Sequence, residues 1–149
     1  MSEITLRKAT LADVGKVTNC LAAAYAPALR DIPDLPDVTG GVADDIRSHG
    51  GVVAEMNAEI VGYIVFGQVD DAVMIFNLAV APNAQGRGIA GRLLDQAESV
   101  ARDRGISRLT LRTHRLMHST VSMYQHLGWN VEKQSENRLL LSKPISKSP

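Results

Sequence analysis

The chain has 149 residues, 45% of them hydrophobic, which suffices for one domain with a sizeable core and is too short for two ordinary ones. Lys and Arg together number 16, as do Asp and Glu, so the net charge is zero and no large positive field is available for nucleic acid or a membrane surface. A single cysteine, Cys20, excludes an internal disulfide and favours a reducing compartment. The N-terminal residues 1–7 lack the apolar core of a signal peptide, and no apolar run reaches transmembrane length. A soluble cytoplasmic protein is expected, with residues 146–149 as a loose tail.

Ile4 to Lys8 alternates and predicts a first strand. Thr10 with Asp13 three residues later resembles a capping box, with Asp in the usual Glu position. Val14, Val17, Leu21, Ala24 and Ala28 then form one helical stripe, which Pro27 should bend or end. Cys20 beside that stripe reads as a small core residue, since no positive partner near it in sequence would activate a thiol. Residues 26–41 carry Pro27, Pro33, Pro36, Gly40 and Gly41 with Asp31, Asp34 and Asp37, and predict a long stiffened connection before a short helix over Val42 to Ser48. Long ordered connections often bind ligands, and these aspartates could attract a cationic amine or simply be turn residues.

Val52 to Glu55 and Ile60 to Phe66 predict a hairpin turning near Asn57, the second strand apolar on both faces and therefore central. Asp70 and Asp71 turn the chain into a further strand, Val73 to Val80, broken only by the polar Asn77. A Pro82-Asn83 link and the turn Gln85-Gly86-Arg87-Gly88-Ile89-Ala90-Gly91 lead into a helix in which Ile89, Leu93, Leu94, Ala97, Val100 and Ala101 recur at helical spacing. That helix should stop at Arg104-Gly105, before a strand over 108–112. Strand, helix, strand implies a right-handed crossover and a parallel pair, 73–80 beside 108–112. A helix from Ser119 to Leu127 closed by Gly128 and a hairpin of Trp129 to Lys133 with Arg138 to Ser142 complete the order.

The first amides of a helix have no partner inside it, and its dipole adds positive character, so an anion can settle there. Glycines allow close backbone approach. Residues 85–91 therefore predict a phosphate or pyrophosphate site. Gly86-x-Gly88-x-x-Gly91 also fits the dinucleotide fingerprint, but Ala81 to Gln85 separate it from the strand, and Ser107 to Arg112 offer no acid about 20 residues on. A P-loop fails because no Gly-Lys-Ser/Thr follows. A turn that binds nothing is the bland alternative.

Gln85-x-x-Gly88-x-Ala90, preceded by Leu78-Ala79-Val80-x-Pro82 and followed by Leu93-Leu94, resembles motif A of the GNAT superfamily of acyl-CoA N-acyltransferases. The whole element order, β-α-α-β-β-β-α-β-α-β-β, is similar to that fold over nearly the full chain. The resemblance implies an α/β (α+β) protein, a mixed, mostly antiparallel central sheet with helices on both faces, forming a single domain over 1–149. It implies that Gln85, Gly86, Arg87, Gly88, Ile89, Ala90 and Gly91 hold the CoA pyrophosphate. Leu78, Ala79 and Val80 would line the pantetheine arm through main-chain groups, as an added strand would.

Tyr124-Gln125-His126-Leu127-Gly128-Trp129 resembles the family's Tyr-x-x-x-Gly-Phe segment, with Trp for Phe. It implies that Tyr124 sits near the thioester sulfur and acts as general acid. A phenol with an unperturbed pKa of about 10 is protonated at neutral pH and can donate to a departing thiolate. By periodicity alone the same residue fits a half-buried core arc with Met117 and Val121. His118 stands where the family often has Asn, and could hydrogen-bond the cofactor or merely start a helix. The strand supplies Asn77, which is no base; Glu55, His114 and His118 are the remaining candidates, with a water chain to solvent preferred. Tyr25, Asp31 and Asp34 are the acceptor contacts this region suggests.

The expected activity is transfer of acetyl from acetyl-CoA to a primary amine, of a small molecule or a peptide, by direct attack in a ternary complex, with main-chain amides polarising the thioester carbonyl. An acyl-CoA sensor without turnover is the alternative; an NAD(P)-binding oxidoreductase is a third. No metal, nucleic-acid or membrane partner is expected, and a homodimer is left open.

Overall fold

The structure, a computed structural model, describes residues 3–36 and 38–145; Asp37 of the connection and the tail 146–149 lie outside them. The elements are β1 (Ile4–Lys8), α1 (Val14–Asp31), α2 (Val42–Ser48), β2 (Gly50–Met56), β3 (Glu59–Val69), β4 (Ala72–Val80), α3 (Ile89–Asp103), β5 (Arg108–His114), α4 (His118–His126), β6 (Asn130–Ser135) and β7 (Arg138–Pro144). Single 3-10 turns, Leu11–Asp13 and Pro82–Ala84, precede α1 and α3. Strands hydrogen-bond in the order β1-β2-β3-β4-β5-β7-β6. β4 and β5 run parallel, whereas β1/β2, β2/β3, β5/β7 and β6/β7 are antiparallel. The element order and the mixed, mostly antiparallel sheet are those read from the sequence.

Contacts divide the chain into two compact units, one of Met1–Phe66 with Asn77–Gln96, the other of Gly67–Phe76 with Ala97–Pro149; β3, β4 and α3 contribute to both. In the first unit, β3 is buried without a break from Ile60 to Phe66. Alternation sends successive side chains to opposite faces. On one face Tyr63 and Val65 pack with Val17, Cys20 and Leu21 of α1 and Val42 of α2. On the other, Gly62 leaves room for α3: a Cβ there would lie 2.9 Å from Ile89 Cγ2 and 3.1 Å from Leu93 Cδ1. Helices thus cover both faces of β3.

Asn57 and Ala58, both at positive φ, form the two-residue hairpin between Met56 and Glu59. α1 departs from expectation. It runs through Pro27 to Asp31, so the connection begins at Ile32. Pro27 is exposed, and losing one N–H on the solvent side is tolerated where Val17, Cys20 and Leu21 anchor the opposite side. In the second unit, the parallel ladder covers only Val73–Ile75 against Leu109–Leu111, shorter than the expected pairing of 73–80 with 108–112. β5 pairs along its whole length with β7, from Arg108↔Pro144 to His114↔Arg138.

Asp13 forms the expected capping box: the Thr10 N–H donates to its Oδ2 at 2.8 Å. The Arg7 guanidinium grips both carboxylate oxygens at 2.8 Å and also pairs with Glu55. Hydrogen bonding to Arg7 lowers the Asp13 pKa from 3.8 to about 2, outweighing its burial. Its folded pKa is depressed, so its stabilisation is complete above about pH 4 and fades as pH falls toward 2. Asp13→Asn is expected to lose about 1–2 kcal/mol at neutral pH. Urea denaturation should show that gap closing as the pH approaches 2, and a pH-independent gap would contradict the linkage.

Candidate active site

The first unit carries the strand end, the glycine turn and the head of α3. Ala81 N–H donates to the Val61 carbonyl of β3 at 2.8 Å. Main-chain groups alternate along an extended strand, so Ala79 also faces β3 while Leu78 and Val80 turn their N–H and C=O toward the opposite edge. The ladder to β5 has ended by then, at Ile75. Leu78 and Val80 are half-buried, and Ala79 is buried in the α1-side core. This is the main-chain edge that an extended polar arm would pair with.

Beyond it, the Ala84 N–H donates to the Ala81 carbonyl at 2.9 Å and Ala84 plugs into the core. The next four residues, Gln85, Gly86, Arg87 and Gly88, are exposed. Gly86 (φ +81°) and Gly88 (φ +75°) adopt left-handed backbone, which a side chain would strain. α3 starts with the Arg92 N–H donating to the Gly88 carbonyl at 3.1 Å. Among the described residues, no N–H from Gln85 to Gly91 has a main-chain acceptor. A Cβ on Gly86, Gly88 or Gly91 would meet nothing within 4 Å, so the surface over these amides is open. Ile89 and Leu93, buried against the gap at Gly62, hold the helix head in place. Arg87 is exposed, and Arg92 reaches the Ile4 carbonyl at 3.2 Å. The arrangement suits an anion: orphan donors, helix dipole and an arginine at one exposed turn.

Tyr25 lies in the same unit but not in the connection. It sits on α1, where its hydroxyl donates toward Asn77 Oδ1 at 3.2 Å and the Leu78 carbonyl at 3.4 Å. Burial raises its pKa, which keeps the phenol protonated. Asp31 is the exposed last residue of α1, and Asp34 is exposed in the connection. The Tyr25 hydroxyl bonds run to Asn77 and Leu78 of β4. Cys20 is 5% exposed and its thiol is pushed up to about 11 by burial, which removes it as a nucleophile.

In the second unit, Tyr124 is 5% exposed and meets Trp129 edge-to-face, with ring centroids 5.3 Å apart. Gly128 at φ +97° turns the chain so that the Trp129 N–H reaches the Tyr124 carbonyl at 2.9 Å. The Tyr-x-x-x-Gly-Trp spacing is therefore a helix end that folds the indole back on the phenol ring. His118 is the exposed first residue of α4. His114 is buried and its Nδ1 accepts the Leu116 N–H at 3.1 Å. Glu55 is engaged by Arg7. Sequence reasoning missed the Arg7–Asp13–Glu55 network and the Tyr25–Asn77 contact. Gly62 was findable: a lone glycine in an apolar strand signals close approach by another element.

A sequence model of the acetyltransferase (GNAT) family matches residues 21–129. Human N-acetyltransferase 8B is 32% identical over 108 residues, 68% of this chain and 47% of that protein. Rat N-acetyltransferase family 8 member 2 is 30% identical over 103 residues, 64% of this chain and 44% of that protein. The chain thus spans about half the length of these curated relatives. In fold it is similar to the PaiA N-acetyltransferase from Thermoplasma acidophilum in complex with coenzyme A, with TM-score 0.86, 17% identity, and 96% of this chain and 99% of that one covered. The ribosomal-protein-S18-alanine N-acetyltransferase from Escherichia coli aligns with TM-score 0.78 at 18% identity, covering 99% and 97%.

The glycines of the turn should separate by substitution. Gly88→Ala is expected to lower stability by about 1–2 kcal/mol, because alanine resists left-handed backbone. Gly91→Ala, at ordinary helical φ with open space around it, should gain up to about 1 kcal/mol. Thermal melts of the two variants check this, and equal shifts would contradict it.

Proposed function

We propose that this chain, which belongs to the acetyltransferase (GNAT) family, moves an acetyl group from acetyl-CoA to a primary amine by direct attack within a ternary complex. The observation that carries this reading is the run of open amides at Gln85–Gly91 beside the unladdered edge at Leu78 and Val80. Those amides, with Arg87, suit the diphosphate, and the strand edge suits the pantetheine amides. Acetyl-CoA supplies an activated thioester, so the protein has to bind, orient and move protons without a nucleophile of its own. His118 is the further contact proposed for the cofactor.

Tyr124 is the proposed general acid, its phenol O–H protonating the departing thiolate. Packing against Trp129 fixes the ring, so only the hydroxyl need act. The amine must shed a proton; two candidate side chains are already engaged, and the third, His118, is assigned to the cofactor. Glu55 is held by Arg7, His114 Nδ1 is occupied by a backbone N–H, and Asn77 is not basic. Water leading to bulk solvent is the assigned route. The same lack of a ready base favours, as a second reading, an acyl-CoA sensor that binds without transfer.

The acceptor is read as a small-molecule amine or a peptide, and the setting as cytoplasmic, in line with zero net charge and a buried reduced thiol. Among the described residues no helix is long and apolar enough to cross a membrane. Tyr124→Phe keeps the ring contact and removes the proton. Steady-state assay of CoA release should show turnover reduced about 100-fold or more, with acetyl-CoA affinity nearly unchanged. Undiminished turnover would remove the acid role. Calorimetric binding without transfer to any of a broad amine panel would favour the sensor.

A further inference from the structure

The α1-side face of β4 ends in a polar pair. Leu21 and Tyr25 are one turn apart on α1, and Ala79 and Asn77 are two residues apart on β4. Leu21 and Ala79 pack in one core cluster, and one step further along each element Tyr25 meets Asn77. The Tyr25 hydroxyl donates toward Asn77 Oδ1 at 3.2 Å, with the Leu78 carbonyl more distant at 3.4 Å. With its oxygen on Tyr25, the Asn77 carboxamide turns its Nδ2 away. That Nδ2 has two N–H donors and no acceptor among the described residues, and Asn77 is only half-buried.

We propose that Asn77 is a specificity-determining residue whose Nδ2 binds a carbonyl oxygen of the acceptor, with Tyr25 as the positioning residue that fixes its orientation. The inference rests on the acetyl-transfer reading above. An amide donor repels an ammonium and pairs with a carbonyl. Asn77 lies one and three residues from Leu78 and Val80, the main-chain groups assigned to the thioester arm, about 3–10 Å along the strand. The carbonyl must therefore sit within a few ångström of the attacking nitrogen. The acceptor class that satisfies both conditions is an α-amino acyl group, an amino-acid amide or a peptide N-terminus, rather than an isolated alkylamine or a polyamine.

The test compares kcat/KM for alaninamide with that for sec-butylamine, its carbonyl-free counterpart, in the wild-type protein and in Asn77→Leu and Tyr25→Phe. Dividing the wild-type ratio by each variant's ratio cancels the different basicities of the two amines. In Asn77→Leu the preference for alaninamide should fall about tenfold, the value of one hydrogen bond, while the acetyl-CoA Kd stays within about twofold. Tyr25→Phe keeps the ring in the core and should lower the same ratio by a smaller factor, so the proposal remains testable should Asn77→Leu fold poorly. An unchanged ratio in both variants, with transfer intact, overturns this inference alone. Transfer to another amine of the panel but to neither of these two overturns this inference alone, whereas binding of acetyl-CoA with transfer to no amine of the panel removes the transfer reading and this inference with it.

Discussion

The constraint on which the site depends is the unpaired backbone at the head of α3. Every helix begins with N–H groups that it cannot satisfy, and ordinary helices cap them with side chains or water. Here the residues from Gln85 to Gly88 are exposed and include two glycines in left-handed backbone, and among the described residues no loop or cap hydrogen bond joins an N–H from Gln85 to Gly91 to a main-chain carbonyl. Such a surface is costly to leave to chance, so the fold fixes it from below. Ala84 anchors one side of the turn, and Ile89 and Leu93 fill the gap at Gly62 on the other. The donors are held in one geometry before any anion arrives, which is the condition for binding with little loss of freedom.

On the proposed reading, the strand that leads into the turn serves both cofactor and acceptor. Alternation along β4 gives Leu78 and Val80 an outward main chain and gives Asn77 and Ala79 a side-chain face toward α1. Tyr25 touches both sets, through Asn77 Oδ1 and the Leu78 carbonyl. A reaction with no covalent intermediate relies on placement more than on reactive side chains. The inert Cys20, the engaged Glu55 and the His114 Nδ1 that already accepts a backbone N–H are consistent with that reliance.

Local chemistry was legible in the sequence and long-range contact was not. The glycine turn, the capping box at Thr10 and Asp13, and the order of eleven elements all follow from patterns a few residues wide. The motif at 85–91 and the Tyr124–Trp129 spacing pointed to residues whose local geometry the structure now describes. Where α1 ends was misjudged because Pro27 looks the same in sequence whether its side of the helix faces core or solvent. The length of the β4–β5 ladder escaped because two apolar runs carry no mark of where they part. Arg7 gripping Asp13 and Glu55, and Tyr25 meeting Asn77 across 52 residues, depend on tertiary register that periodicity does not encode.

The most direct measurement is amide NMR on uniformly 15N-labelled protein titrated with acetyl-CoA and, separately, with NAD. Acetyl-CoA should shift the N–H resonances of Gly86, Gly88, Ala90 and Gly91 most strongly, together with Leu78 and Val80, and slow their exchange with solvent. NAD should leave them in place. Saturation by acetyl-CoA with these amides unmoved, or an equal response to the dinucleotide, would contradict the assignment of the α3 head as the anchor of the site.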